Sequence, residues 1–133
     1  TLAALEATLR HYVAGTAVDR VPVWRMLSAT NEQLRRRVET WREHLRGRRV
    51  VATIVEGRSA IGGGSLPEET LPTTLLRIPS GDRSSAELAR ALRQTTPPVI
   101  ARIVDDRVVC DPRTVLEEQD QALLGAIEQT CRV

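Results

Sequence analysis

The chain has 133 residues, 41% of them hydrophobic and 27% charged, with a formal net charge of +2, a composition that suits one globular domain able to bury its own core. All 19 basic residues are arginines, because the sequence contains no lysine; a Schiff-base lysine, a P-loop lysine and a lysine general base are excluded, and binding through planar guanidinium forks remains. No apolar run approaches the ~20 residues of a membrane span, and the opening residues lack the basic-then-apolar layout of a signal peptide, so a cytoplasmic chain is expected.

The first element is a helix over "TLAALEATLRHYVAG", with Leu2, Leu5, Leu9, Tyr12 and Val13 on one stripe and Gly15 as its stop. "TAVDRVPVWRMLSA" reads as irregular or extended around Pro22, with Val21, Val23, Trp24 and Leu27 available to dock on a core. Thr30 and Gln33 then form a capping box ahead of a helix in which Leu34, Val38, Trp41 and Leu45 repeat at helical spacing, closed by Gly47. "RVVATIVEG" is β-branched and short, and "TTLLRI" gives a second strand after an intervening glycine-rich stretch. Ser84 and Glu87 cap the next helix, which turns Leu88 and Leu92 inward. "PPVIARIVDDRVVCD" reads as a hairpin, 99–104 and 107–110, turning at Asp105 and Asp106. A third box, Thr114 with Glu117, opens a last helix carrying Leu116, Leu123, Leu124 and Ile127 on one side. Strands grouped around single helices in this order predict an α+β domain: a small, mostly antiparallel sheet with helices packed on one face.

The stretch "SAIGGGSLPEETLPTTLLRI" concentrates three of the 8 glycines and two of the 7 prolines. Glycine there supplies either backbone angles closed to other residues or a close approach. Gly62, Gly63, Gly64 and Ser65 read as a strand-terminating turn or bulge, or as a loop facing an active-site cleft whose N–H groups or serine hydroxyl meet an anion. Cys110 and Cys131 have no C-x-x-C spacing, and His11 and His44 are isolated. No metal site is expected, and both cysteines read as small buried hydrophobes.

Three runs, "VPVWRMLSAT", "GGGSLPEETLPTTLLRI" and "ELARALRQTTPPVIARIVDDRVVCDPRTV", closely resemble in order and spacing the C-terminal region of bacterial selenocysteine synthase, the L-seryl-tRNA(Sec) selenium transferase family. The glycine triplet followed by S-L-P, with P-P-V-I-A-R-I some thirty residues on, is far more specific than a lone glycine motif. The resemblance implies the C-terminal small domain of a fold-type-I pyridoxal-phosphate enzyme, which converts seryl-tRNA(Sec) to selenocysteinyl-tRNA(Sec) through dehydroalanine with selenophosphate as donor. It implies a homo-oligomer in which residues 1–20 lead from a large domain and 21–133 form the small one. The cofactor lysine of the family lies in the large domain, and the arginines that engage the selenium donor lie just before the first helix here. A chain without lysine is expected to bind no cofactor and to be inactive alone.

The same resemblance makes Arg102 the candidate substrate-binding residue. Small domains of this fold type often supply an arginine for the substrate's α-carboxylate, which orients the bond to be broken. In this family an aminoacyl ester replaces the carboxylate, so the partner shifts to the ester carbonyl or the terminal phosphate of the tRNA. The other reading of Arg102 is an exposed hairpin arginine paired with Asp105 or Asp106. Arg113 in "DPRTV" is expected to brace its turn by pairing with Asp111, the other reading being substrate binding. Arg35, Arg36 and Arg37 read as a solvated helix face or as a contact for tRNA. Rival readings are the small domain of a related pyridoxal-phosphate lyase, an oligomerisation module, or a free-standing RNA-binding module. The last is disfavoured by the low net charge and by the scarcity of aromatics on which bases stack: no Phe, one Tyr and two Trp, both Trp in apolar patterns.

Overall fold

The computed structural model describes residues 1–62 and 69–132. Six helices and four strands follow in the order α1 (Leu2–Val13), α2 (Ala17–Arg20), α3 (Pro22–Ser28), α4 (Asn31–Gly47), β1 (Thr53–Ala60), β2 (Thr70–Arg77), α5 (Ser85–Arg93), β3 (Arg102–Val104), β4 (Arg107–Cys110) and α6 (Asp120–Cys131). Two short 3₁₀ turns, Pro112–Thr114 and Glu117–Gln119, precede α6. The strands form one antiparallel sheet in the order β1-β2-β4-β3. The α+β expectation is met.

The core is built by α4, α5 and α6 against one face of that sheet. Val38, Trp41 and Leu45 of α4, Leu88 and Leu92 of α5, and Leu123, Leu124 and Ile127 of α6 cluster with Leu76, Ile78, Val108 and Cys110 of the sheet side. Spacings of three and four residues put each helical set on one stripe, so each helix has a single apolar face to bury. Side chains in a strand alternate between faces. Leu76, Val108 and Cys110 therefore face the helices, and their neighbours Leu75 and Val109 point the other way.

Two of the three capping boxes form as the sequence predicts. The Thr30 hydroxyl accepts from Gln33 N–H while the Gln33 side chain accepts from Thr30 N–H, and Ser84 and Glu87 repeat the exchange on α5. The third does not form. Asp111 itself caps the first 3₁₀ turn by accepting from Arg113 N–H, and the Thr114 hydroxyl donates to Asp111 O instead of turning toward Glu117. The chain then makes a second 3₁₀ turn, and α6 starts at Asp120.

The segment expected to be irregular or extended is helical. Pro22 sits in the first turn of α3, where a missing N–H costs nothing because first-turn donors have no acceptor within the helix. Trp24 does not enter the core: it is 41% exposed, and its indole N–H donates to the Tyr12 hydroxyl at 2.7 Å. The stripe of α1 is exposed as well, Leu2 and Val13 almost completely. Its leucines have nothing to bury against within the described residues, and no residue of α1 is buried.

The hairpin of β3 and β4 turns at Asp105 and Asp106, with φ of 48° and 56°. Two consecutive left-handed residues are the mark of a two-residue turn whose twist matches that of its strands, and aspartate tolerates the conformation. At Gly57 a Cβ would lie 2.4 Å from Leu75 Cδ1. Glycine there lets Leu75 fold across β1.

Candidate functional site

Cross-strand pairing decides which side chains share the sheet face turned away from α4, α5 and α6. Gly57 pairs with Thr73 and Ser59 with Leu71 between β1 and β2, Arg77 pairs with Val109 between β2 and β4, and Arg102 pairs with Val109 between β3 and β4. Directly opposed residues project to the same side. Ser59, Thr73, Val109 and Arg102 therefore stand on one face, and Asp111, two residues beyond Val109, continues the row.

Arg102 reaches across this face. Its Nη1 donates to Arg58 O at 3.0 Å, and its Nη2 lies 3.4 Å from Asp111 Oδ2. Neither Asp105 nor Asp106 is its partner; Asp106 instead accepts from the Ser85 hydroxyl at 2.5 Å. The expected hairpin pairing is thus replaced by one spanning the sheet, because a side chain on this face points along the row of Val109 and Asp111 and away from the turn. The Arg102 side chain remains 43% exposed. Among the described residues its Nε and the second hydrogens of both Nη groups have no partner, so the fork is anchored at two points and keeps an open edge.

Asp111 is 5% exposed and gathers donors from every side. Ser59 Oγ donates to Oδ2 at 2.5 Å, Thr73 Oγ1 to Oδ1 at 2.9 Å and the Arg113 N–H to Oδ1 at 3.0 Å. With Arg102 added, every strand of the sheet or its continuation meets at one carboxylate. Hydrogen bonds of this number make a buried charge tolerable.

A cleft of about 400 Å³ opens beside this network, with Ser59, Arg102 and Asp111 on its polar side and Ala60, Pro97, Val99 and Leu123 on its apolar side. Cys110 also lines it. Burial pushes the Cys110 thiol up to about 12, with the Asp111 charge adding to the effect, so this cysteine is no nucleophile at neutral pH. The cleft can hold and orient a group of nucleotide or amino-acid size, with one arginine fork as its recognition element.

The glycine stretch meets the same cleft at its root. Ser59 and Ala60 line it and Gly62 follows with φ of 112°, a conformation closed to other residues. Gly63, Gly64 and Ser65 lie outside the described residues.

Arg113 does not brace its turn through a side-chain pair with Asp111. Its guanidinium is buried and donates to three carbonyls, Met26 O and Ala29 O through Nη1 and Pro72 O through Nη2, each at 2.8 Å. Burial lowers its pKa below the ordinary value and the Asp111 charge draws it back. This arginine holds the end of α3 against β2.

The three arginines of α4 diverge. Arg35 pairs with Glu56 and Arg36 with Glu32, both pairs exposed. Arg37 turns inward to Asp120 and Pro112 O. No three His, Cys, Asp or Glu side chains converge on a metal-sized site among the described residues, and none of the described helices is long and apolar enough to cross a membrane.

The sequence singled out Arg102 as a candidate but not Asp111 as its partner. The signal was present in "CDPRTV": an aspartate before Pro-Arg caps the turn that follows, which fixes its carboxylate in place. What the sequence could not show is that Ser59 and Thr73, 52 and 38 residues away, point at the same spot.

Comparison with known proteins places almost the whole chain beside one family. The sequence model of the L-seryl-tRNA selenium transferase family matches residues 1–116. The chain is 39% identical to the L-seryl-tRNA(Sec) selenium transferase of Geotalea daltonii over 132 residues, 96% of this chain and 29% of that protein. It is 35% identical to the enzyme of the same name from Clostridium perfringens strain 13 and 39% identical to that from Maridesulfovibrio salexigens, in each case over 97% of this chain and 29% of the relative. The chain thus spans less than a third of the length of the relatives it matches.

Proposed function

Because the chain belongs to the L-seryl-tRNA selenium transferase family, we propose that it serves as the C-terminal small domain of an enzyme converting seryl-tRNA(Sec) to selenocysteinyl-tRNA(Sec), with selenophosphate as donor and pyridoxal phosphate as cofactor. When bound, that cofactor stabilises the carbanion formed at the serine Cα. The residues of this chain do not fit its point of attachment: there is no lysine among the 133 residues to meet its aldehyde. No chemical step is therefore assigned to them, and their part is to bind, orient and enclose.

The observation that carries the reading is the position of Arg102. Its fork is held across the sheet to the root of the glycine stretch, with an open edge beside the cleft. Such an edge suits the ester carbonyl of an aminoacyl-tRNA or its terminal phosphate, and fixing either one limits rotation about the bonds of the reacting serine. For the glycine stretch, Gly62 to Ser65, the proposed role is contact with an anionic group of the substrate. Arg35 and Arg36 are the exposed arginines of α4 able to exchange a glutamate for a tRNA phosphate. The exposed stripe of α1 supports burial against the rest of a homo-oligomeric enzyme, and a cytoplasmic location belongs to the same proposal as its tRNA substrate.

Two measurements on the full-length enzyme test this. Its absorption spectrum should show a visible cofactor band that borohydride bleaches, and a colourless protein purified with pyridoxal phosphate present would remove the cofactor class. Arg102→Ala should lower turnover of seryl-tRNA on the order of 100-fold, far more than any loss of folding stability accounts for. Equal activity in the variant would remove Arg102 from substrate binding.

A further inference from the structure

We infer that Asp111 is the positioning residue for Arg102: a buried carboxylate that sets where the open edge of the fork lies. The inference rests on the reading that Arg102 meets the substrate. It starts from a gap in the sheet. The pairing of β2 with β4 is confined to Leu76 with Cys110 and Arg77 with Val109, so beyond Cys110 backbone bonds no longer hold the strands together. The Asp111 side chain takes over there, receiving Thr73 of β2 and Ser59 of β1.

A carboxylate offers about four acceptor positions, and here all four are used. Oδ1 takes Thr73 Oγ1 and the Arg113 N–H, and Oδ2 takes Ser59 Oγ and Arg102 Nη2. Three of these donors are fixed by the fold, two by strands and one by a 3₁₀ turn. The fourth belongs to a long, half-exposed side chain that would otherwise sample many rotamers. Asp111 transfers the rigidity of the sheet to Arg102. The second anchor, Arg58 O, fixes the rotation of the fork about that contact.

Thr73 and Ser59 on their own account for a structural aspartate, and a purely structural role is what the test must separate. The experiment is a double-mutant cycle on the full-length enzyme, with kcat and KM for seryl-tRNA measured for the wild type, Arg102→Ala, Asp111→Asn and the double variant. Asparagine keeps the shape of the carboxylate and removes its charge. If Asp111 acts through Arg102, Asp111→Asn lowers kcat/KM about tenfold when Arg102 is present and less than about twofold when Arg102 is already alanine.

An equal loss in both backgrounds would make Asp111 a structural residue and overturn the inference while leaving Arg102 in place. Full activity in Arg102→Ala would overturn the reading of Arg102 and the inference with it. If Asp111→Asn does not fold, Ser59→Ala replaces it in the cycle, since Ser59 shares Oδ2 with Arg102. A loss of about threefold that appears only when Arg102 is present supports the inference, and one of the same size in both backgrounds overturns it.

Discussion

Arg37 and Asp120 form a two-pronged ion pair between α4 and the first residue of α6. Arg37 Nε lies 2.9 Å from Asp120 Oδ2, Nη2 bonds Oδ1, and Nη1 donates to Pro112 O at 2.8 Å. The guanidinium carbon stands 5.1 Å from the centroid of the Trp41 ring, whose face attracts it. Both side chains are mostly buried. Arg37→Ala would strand a half-buried Asp120 and is expected to cost about 3 kcal/mol, while Arg35→Ala, which breaks an exposed pair, costs about 0–1 kcal/mol. Urea unfolding of the two variants checks the contrast. Equal midpoints would show that the inward pair contributes no more than a surface one.

Arg113 should be harder still to replace. Its two Nη groups satisfy Met26 O, Ala29 O and Pro72 O at once, and a buried carbonyl left without a donor costs about 1–3 kcal/mol. Arg113→Met keeps the volume and removes every donor, so a loss of at least about 3 kcal/mol is expected. Arg113→Lys should rescue little, because one ammonium cannot span carbonyls from two elements. Hydrogen exchange should speed up in α3 before it does in α4. Unchanged protection of α3 in Arg113→Met would show that the helix is held by something else.

These two arginines mark the limit of what was legible in the sequence. The stripes of α4, α5 and α6, the two-residue turn at Asp105 and Asp106 and two of the capping boxes are local patterns with local causes, and the structure carries them. The fates of Arg37, Arg102 and Arg113 are not local. In sequence each is an arginine near an acidic residue, while contacts that hold it in the fold lie 83, 44 and 87 residues away in Asp120, Arg58 and Met26. The α2 and α3 segment departs from its sequence pattern for a different reason: Pro22 reads as a breaker unless its place in the first turn is known. Thr114 and Glu117 match the spacing of a capping box, yet the Thr114 hydroxyl is taken up by donating to Asp111 O.

The capping box of α5 makes stability depend on pH. Hydrogen bonds from the Ser84 N–H and then its hydroxyl, both at 2.8 Å, hold the Glu87 carboxyl below its ordinary range. A group whose folded pKa is depressed contributes its stabilisation fully above the unfolded value of about 4.3 and loses it as pH falls through the lower folded value. Glu118, lowered by the hydrogen bond from Arg25, acts in the same direction and the same window. Glu87→Gln keeps an acceptor oxygen but loses the charge and cannot titrate, so its urea midpoint should lie below that of the wild type at pH 7. It should fall less steeply between pH 5 and pH 3. Parallel acid limbs for the two proteins would show that Glu87 is not linked to folding.

Cys110 offers a test of the core that needs no substitution. Its thiol is buried under Leu123 and its neighbours and pushed up to about 12, first by loss of solvation and then by the Asp111 charge. At pH 8 the thiolate fraction is then on the order of one in 10⁴, against a substantial fraction for an ordinary cysteine. Cys131 is shifted upward too, by burial opposed by Arg83, but it is only half-buried. A thiol reagent at pH 8 should therefore label the folded chain at Cys131 slowly and at Cys110 only through unfolding, with both reacting at once in urea. The rate at Cys110 should follow the opening of the α6 face, so Arg37→Ala should accelerate it by the same factor as its loss of stability if opening there is global. Fast labelling of Cys110 in the folded wild type would place it outside the core and dissolve the apolar side of the cleft with it.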